Sequence, residues 1–418
     1  MPFRSALSGI NAAAQDLRVI GNNVSNASTT GFKQSRAEFA DVYAASDGAA
    51  SNAIGAGVRL SGVSQQFGQG NIEFTDNKLD LAVNGRGFFV LDDNGSRSYT
   101  RSGAFKVDRD GFVVNTSADK LVVNNADESG QISGAIGPLQ LDRSNISPKP
   151  TTRIDVGLNL DSSQKPPSTL PFNPDVPNSF THSTSVTVYD SLGAPHLSTM
   201  YYVKDAAPNT WTTHMFIDGK DTRGGVAPPF NGDKLVFNGS GGLASINGKS
   251  TPPGEIEYNG VKVADGLDPI DLVVNLQSST PTTQFGTKFS ASALTQNGYA
   301  SGRLSGIDID DSGIVRARYS NGQTKTLGQV TLADFSNPQG LRQLGDTNWA
   351  ESFASGVPLV GTPGSGSLGG LQSGALEASN VDLTGQLVNM ITAQRNFQAN
   401  AQVITTADTV TQTIINIR

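Results

Sequence analysis

Both ends of this chain carry a heptad repeat, and the long stretch between them does not. Near the start, Phe3, Leu7, Ile10, Ala14, Leu17, Gly21 and Val24 recur at alternating steps of four and three. That spacing lays an apolar seam along one face of a helix built to pack on another helix. Asn22, Asn23, Asn26 and the Ser28–Gly31 run stop it. Near the other end, Ser379 and Asp382 form a capping-box-like start for a helix running nearly to Arg418. Its seam is Leu383, Leu387, Met390, Gln394, Phe397, Ala401, Ile404, Ala407, Val410, Ile414 and Ile417, with three successive steps of three after Ala401 that overwind any coil formed there. At 1.5 Å per residue this helix spans about 55 Å.

Two such helices can close on each other as a hairpin. Their outward faces, however, are Gln, Asn, Thr and Ala, almost without the Glu–Lys pairs that solubilise a lone coil. The expected arrangement is therefore helices that bury several faces against other copies of the chain and are marginal in the monomer. No other part of the chain offers the C-terminal helix a surface to lie upon.

Between the ends the period changes to two. Leu79, Leu81 and Val83 alternate before Gly85–Gly87, and Phe88–Leu91 follows as a short apolar strand. Asp110-Gly111, Asp311-Ser312-Gly313 and Asn321-Gly322 supply tight turns. Pro148, Pro150 and the Pro-rich stretch 166–177 open a segment with its own character, and 278–284 closes it. The fold class is α+β and multidomain: long terminal helices forming a coiled-coil-like inner layer, with two nested mainly-β domains. The expected division is a helical domain of 1–26 plus 379–418 and an extended linker of 27–71. An inner β domain of 72–148 plus 285–364 follows, with an inserted outer β domain of 149–284 and a flexible connection of 365–378.

Composition narrows the function. Charged residues make up only 16% of 418, against about 25% in an average soluble protein. Thirty basic against 37 acidic side chains leave −7, so no basic field draws in nucleic acid. The longest apolar runs, such as 87–91, are too short for membrane insertion. Zero cysteines exclude disulfides, thiolate metal sites and Cys nucleophiles. Asn11, Gln15 and Asp16 interrupt any apolar core of a secretory signal peptide, so none is expected.

Catalytic readings find little support. Asp308–Gly313 resembles the first half of a calcium loop, but Tyr319 stands where a bidentate Glu is required, so a hairpin turn is the reading. Gly364–Gly369 satisfies G-x-G-x-x-G after Pro363 in a low-complexity stretch instead of a strand, which is no dinucleotide site. His182, His196 and His214 are read as surface or packing residues. No enzyme, cofactor or metal is expected. Nothing in the sequence selects a carboxylate pair for glycoside cleavage, and an extracellular glycan enzyme stays open for the insert alone.

Several stretches carry a resemblance. Leu7–Ala13, Ile20–Asn26 and Thr30-Gly31-Phe32-Lys33 lie near the start, followed by Leu79–Phe89 and Tyr99-Thr100-Arg101-Ser102-Gly103-Ala104-Phe105. Gly374–Leu383 and Met390–Asn400 lie near the end. The chain resembles the bacterial flagellar hook proteins of the axial rod and hook family, over about 1–115 and 290–418. Rod proteins match the terminal motifs nearly as well, but the 136-residue insert decides for hook, since rod relatives lack one. A secreted β-rich adhesin is the alternative from another class. It needs a signal peptide or anchor, and it does not need heptads at both ends.

The resemblance implies a helical homopolymer that joins rod to filament, bends, and transmits torque. Its implied partners are other copies of itself, rod and hook–filament junction proteins, a hook cap, and the flagellar type III export gate. The place implied is the extracellular hook on the basal body, reached without a cleaved signal peptide. Terminal helices would line the channel, with Phe3, Leu7, Ile10, Leu17, Val24, Leu383, Leu387, Met390, Phe397, Ile404, Val410, Ile414 and Ile417 as the polymerisation seam. Residues 27–71 would bridge protofilaments. Phe39 and Tyr43 in Phe39-Ala40-Asp41-Val42-Tyr43 resemble an aromatic-x-x-x-hydrophobic export signal.

Overall fold

The computed structural model describes residues 2–42, 55–127, 129–252, 254–263 and 266–416. It divides into two compact units. The first takes Met1–Arg143, Gly306–Arg318 and Thr324–Arg418; the second takes Ser144–Ser305 and Tyr319–Gln323.

The first unit holds both helices, α1 (Pro2–Ser25) and α2 (Leu383–Asn416). Asp382 caps α2, its Oδ1 accepting the Thr384 N–H at 3.0 Å. The two helices pack on each other, which corrects the expectation that α2 has no partner within the chain. Asn23 meets Gln386 near one end, and Gly9 faces Asn400 further along, so the pair is antiparallel. The reason is residue size. Ala6 and Ala13 of α1 and Ala393 of α2 are buried, and Gly9 has no room for a side chain beside Asn400. Small side chains bring the two backbones close.

Within the expected extended linker 27–71 the chain forms a two-stranded ribbon. Ser35–Asp41 pairs antiparallel with Val58–Gln65, with a bulge between Glu38 and Phe39. It lies along α1: Asn23 bonds both the N–H and the C=O of Ser35, and the Val58 N–H donates to Ser8 Oγ. A lone two-stranded ribbon is marginal in water, and the helix supplies the layer it packs against.

Most strands of this unit form one large, mostly antiparallel sheet around Phe88–Asp93, beside three two-stranded pairings. Both faces of that strand are covered, which is why its sequence reads as a continuous apolar run. Phe89 and Leu91 point into a cluster with Leu81, Phe105, Leu121 and Val330, while Phe88 and Val90 join Tyr99, Phe335 and Trp349. Asp310 closes the turn once compared with a calcium loop, its Oδ1 accepting the Ser312 and Ile314 N–H groups. The expected flexible connection 365–378 is folded: Gly370–Ser373 pairs with Leu81–Asn84, and Ala375–Glu377 pairs with Ile72–Phe74. Gly369 there serves close approach, since a Cβ on it would strike the backbone of Asn84 and Gly85.

The second unit is built from two sheets. Glu255–Val261, Ile270–Asn275, Arg153–Asn159 and Ser290–Gln296 make one; the other runs from His182–Tyr189 through Pro195–Lys204 and Thr210–Ile217 to Lys249–Ser250. Trp211, Tyr202, Leu158 and Leu272 fill the core. Two observations correct the insert boundary of 149–284. Gln284, read as part of a polar exit, is buried and accepts the Trp211 indole N–H at 2.9 Å. The chain then adds Ser290–Gln296 beside Arg153–Asn159, so 285–305 belongs with the second unit instead of the inner β domain. Within 278–284, Thr282 and Gln284 turn their polar side chains inward, onto Val156 O and the Trp211 indole.

Candidate assembly interface

In both helices the packed residues stand one position before the expected seam. On α1, Ala6, Gly9, Ala13, Ile20 and Asn23 face inward, each directly ahead of Leu7, Ile10, Ala14, Gly21 and Val24. On α2, Gln386, Ala393 and Asn400 stand just before Leu387, Gln394 and Ala401. One residue is about 100° of helical rotation. The larger apolar side chains are therefore turned away from the intrachain contact. Phe3, Leu7, Leu383, Leu387, Phe397, Val410 and Ile414 are exposed, with Leu7 at 54% and Ile414 at 63%. Ile10, Leu17, Val24, Met390 and Ile404 are half-buried. Val388, Ile391, Val403 and Ile415 are exposed as well and lie outside the expected seam, so α2 is apolar on more than one side. Ile417 and Tyr43 lie outside the described residues; Phe39 sits exposed at the ribbon bulge.

The helices join the strands at a buried charged junction. Lys33 Nζ is ion-paired to Glu377 Oε1 and donates to Gly68 O at 2.7 Å. Arg101 Nη1 reaches Glu377 Oε2 at 3.2 Å, Arg101 Nη2 donates to Gly85 O at 2.8 Å, and the guanidinium lies over the Phe88 ring. The Gly70 N–H donates to Glu377 Oε1, and the Gly31 N–H to Glu377 O. Side chains of Lys33 and Glu377 are completely buried. Burial pushes the Lys33 ammonium down from its usual range, and Glu377 opposes that shift; Arg101 is lowered by burial in the same way. Alongside, Asn380 accepts the Gln34 N–H and donates to Gln66 O and Gly68 O.

This junction gathers the motif stretches that are far apart in sequence: Lys33, Gly85, Arg101, Glu377 and Asn380. Sequence reasoning did not mark it as a site. A signal was present, since Lys33 is the single charge in 27–35 and Glu377 the single charge in 371–381. An isolated charge within an otherwise uncharged stretch has a reason to be there.

Family models match along the chain in order. "Flagella basal body rod protein" covers 3–33 and "Flagellar hook protein FlgE/F/G D1 domain" covers 82–156. "Flagellar basal body protein FlaE D2 domain" covers 159–299 and "Flagellar basal body rod FlgEFG protein C-terminal" covers 372–417. These define the class as flagellar axial proteins of the rod and hook. Among relatives, the flagellar hook protein FlgE of Salmonella typhimurium is 39% identical over 422 residues, spanning 100% of both chains. That of Escherichia coli is 39% identical over 425 residues, again 100% of both. That of Borreliella burgdorferi is 32% identical over 450 residues, covering 99% of this chain and 98% of that one. The chain belongs to the flagellar hook protein family and is a structural subunit of the bacterial hook. The crystal structure of Helicobacter pylori flagellar hook protein FlgE2 shares the fold, with a TM-score of 0.54 at 14% identity over 73% of this chain and 100% of that one.

Proposed function

We propose that this subunit polymerises through the outward faces of α1 and α2 into a flexible helical tube that couples rod to filament and transmits torque. The observation that carries the reading is the one-residue rotation just described. Small and polar residues, with Ile20, satisfy the pairing within the chain, and most of the large apolar ones are left for neighbours. Each such side chain contributes about 1.5–3 kcal/mol when removed from water, enough over a dozen positions to offset helix ordering. In this reading the seam comprises Phe3, Leu7, Ile10, Leu17, Val24, Leu383, Leu387, Met390, Phe397, Ile404, Val410, Ile414 and Ile417.

The partners in this reading are other copies, rod and hook–filament junction proteins at the two ends, and a hook cap during growth. The type III export gate receives the chain, with Phe39 and Tyr43 as its signal. Delivery without a cleaved signal peptide places the subunit outside the cell on the basal body. The helices form the inner layer and the second unit the outer one. No step of this function is enzymatic. Among the described residues no helix is long and apolar enough to cross a membrane. Negative-stain microscopy of concentrated, salted-out protein tests the reading: short tubes are expected, and persistent monomers with ordered helices would overturn it.

A further inference from the structure

Glu377 is the one carboxylate bonded within the junction, and it faces two cations. Asp334 acts on Arg101 from further away while engaged with Arg86. Without Glu377, Lys33 Nζ keeps a single acceptor, Gly68 O. Arg101 keeps the carbonyls of Gly85 and Val83 and the face of Phe88, and its buried Nε has no partner even in the closed junction. Two like charges would then stand together out of water, an arrangement that folded proteins avoid. Lys33 and Glu377 are 344 residues apart in the chain.

We propose that Glu377 is a charge latch for the helical ends: Gly31–Lys33 docks onto the strands only when Ala375–Glu377 has paired with Ile72–Phe74 and supplied the neutralising carboxylate. The pairing of α1 with α2 is then contingent on this closure, because the latch lies between α1 and the ribbon on one side and the start of α2 on the other. Glu377, Lys33 and Arg101 act as positioning residues for assembly. Their side chains are buried within the chain; they set whether the helices are held in the register that presents the large apolar faces.

Charge logic makes a prediction that a merely structural contact does not. In Lys33→Met the Arg101–Glu377 pair stays balanced, so docking is only mildly loosened. In Glu377→Gln both cations are left uncompensated while the shape is kept, so docking is lost. Combining the two removes one cation and restores part of what Glu377→Gln loses.

The experiment is amide hydrogen exchange on the unassembled full chain at Gly31, whose N–H donates to the backbone oxygen of residue 377 and so keeps its acceptor in every variant. Glu377→Gln is expected to speed exchange there by about a hundredfold or more, with protection in Phe88–Asp93 retained. Lys33→Met is expected to speed it by less than about tenfold, and the double variant to fall between them. Wild-type protection in Glu377→Gln, or a double variant less protected than Glu377→Gln, would overturn the latch. Where Glu377→Gln cannot be purified folded, recovery of folded protein in the double variant supports the proposal, and continued failure contradicts it. The readout precedes polymerisation, so it stands apart from the assembly reading.

Discussion

Asn23 is buried on the last turns of α1, and both ends of its amide are used. It donates to Ser35 O at 2.7 Å and accepts the Ser35 N–H at 2.8 Å. Asn23→Ala leaves both backbone groups short of a partner, a loss of about 1–3 kcal/mol. Urea unfolding followed by Trp349 fluorescence should show it, and an unchanged midpoint would mean that the ribbon is held by other contacts. His214 is a packing residue whose titration also bears on stability. It stacks on Phe172 with ring centroids 4.1 Å apart, and burial pulls it down to about 4 from 6.5, against the raising effects of Asp221 and Asp233. Its folded pKa lies below its unfolded one, so its contribution is complete above about pH 6.5 and is lost as pH falls through about 4. The size is on the order of 3 kcal/mol. His196 runs the other way: burial lowers it, but bonds to Asp218 and Asp190 outweigh burial and raise it. Its contribution is present in acid and is lost as pH rises through its elevated pKa. His214→Gln should therefore flatten the fall in second-unit stability between pH 6.5 and 4, read by Trp211 fluorescence in a Trp349→Phe background. An equally steep fall in the variant would assign the acid sensitivity elsewhere. None of this was legible beforehand, because three histidines in a β segment carry no periodic signal and their shifts depend on stacking across strands.

Helices and turns were legible because their signals are local. The heptads place α1 and α2 to within a few residues, and Asp310 closes its turn as the Asp-x-Ser-Gly pattern predicts. The facing direction was not, because size-ranked apolarity picks out Leu7 and Ile10, whereas close packing selects Ala6 and Gly9 beside them. That distinction sets two predictions for the helices. Phe3→Asp or Leu7→Asp should suppress tube formation while shifting the monomer melting temperature little, since both side chains are exposed. A large fall in monomer melting would show that they hold the intrachain pair. In the register fixed by Asn23 with Gln386 and Gly9 with Asn400, the start of α1 lies level with residues near 407 of α2. The rest of α2 projects past it, by about 13 Å to Asn416. Removing residues from 409 onward should leave the folded transitions intact and prevent tubes. Calorimetry decides between this and a structural role, which would show as loss of the first unit's transition.

At the scale of the whole molecule the chain leaves one compact unit, builds a second and returns, and that nesting was readable from prolines and changes of period. Its edges were not, since a strand such as Ser290–Gln296 is known only by its partner Arg153–Asn159. The two ends of the second unit are paired to each other, the Ile146 N–H donating to Gly302 O at 2.9 Å and Lys149 bridging Tyr299. Adjacent ends make an inserted unit removable. Excising 144–305 and joining 143 to 306 through a short Gly/Ser linker should therefore leave the core around Phe89 and Val330 folded, whereas excising 149–284 strands Ser290–Gln296 without its partner. The first deletion is expected to yield soluble protein with the first unit's melting transition, and the second to aggregate. Cells carrying only the 144–305 deletion should still secrete the subunit, because Phe39 and Tyr43 are retained, and should still build tubes, because both helices are retained. Curvature should change, because under the proposed layering the second unit travels furthest as the tube bends and its contacts set the preferred radius. Hooks isolated from such cells and imaged beside intact ones give the answer. Straight or irregular tubes agree with the layering, and tubes of unaltered curvature would remove the second unit from any role in bending.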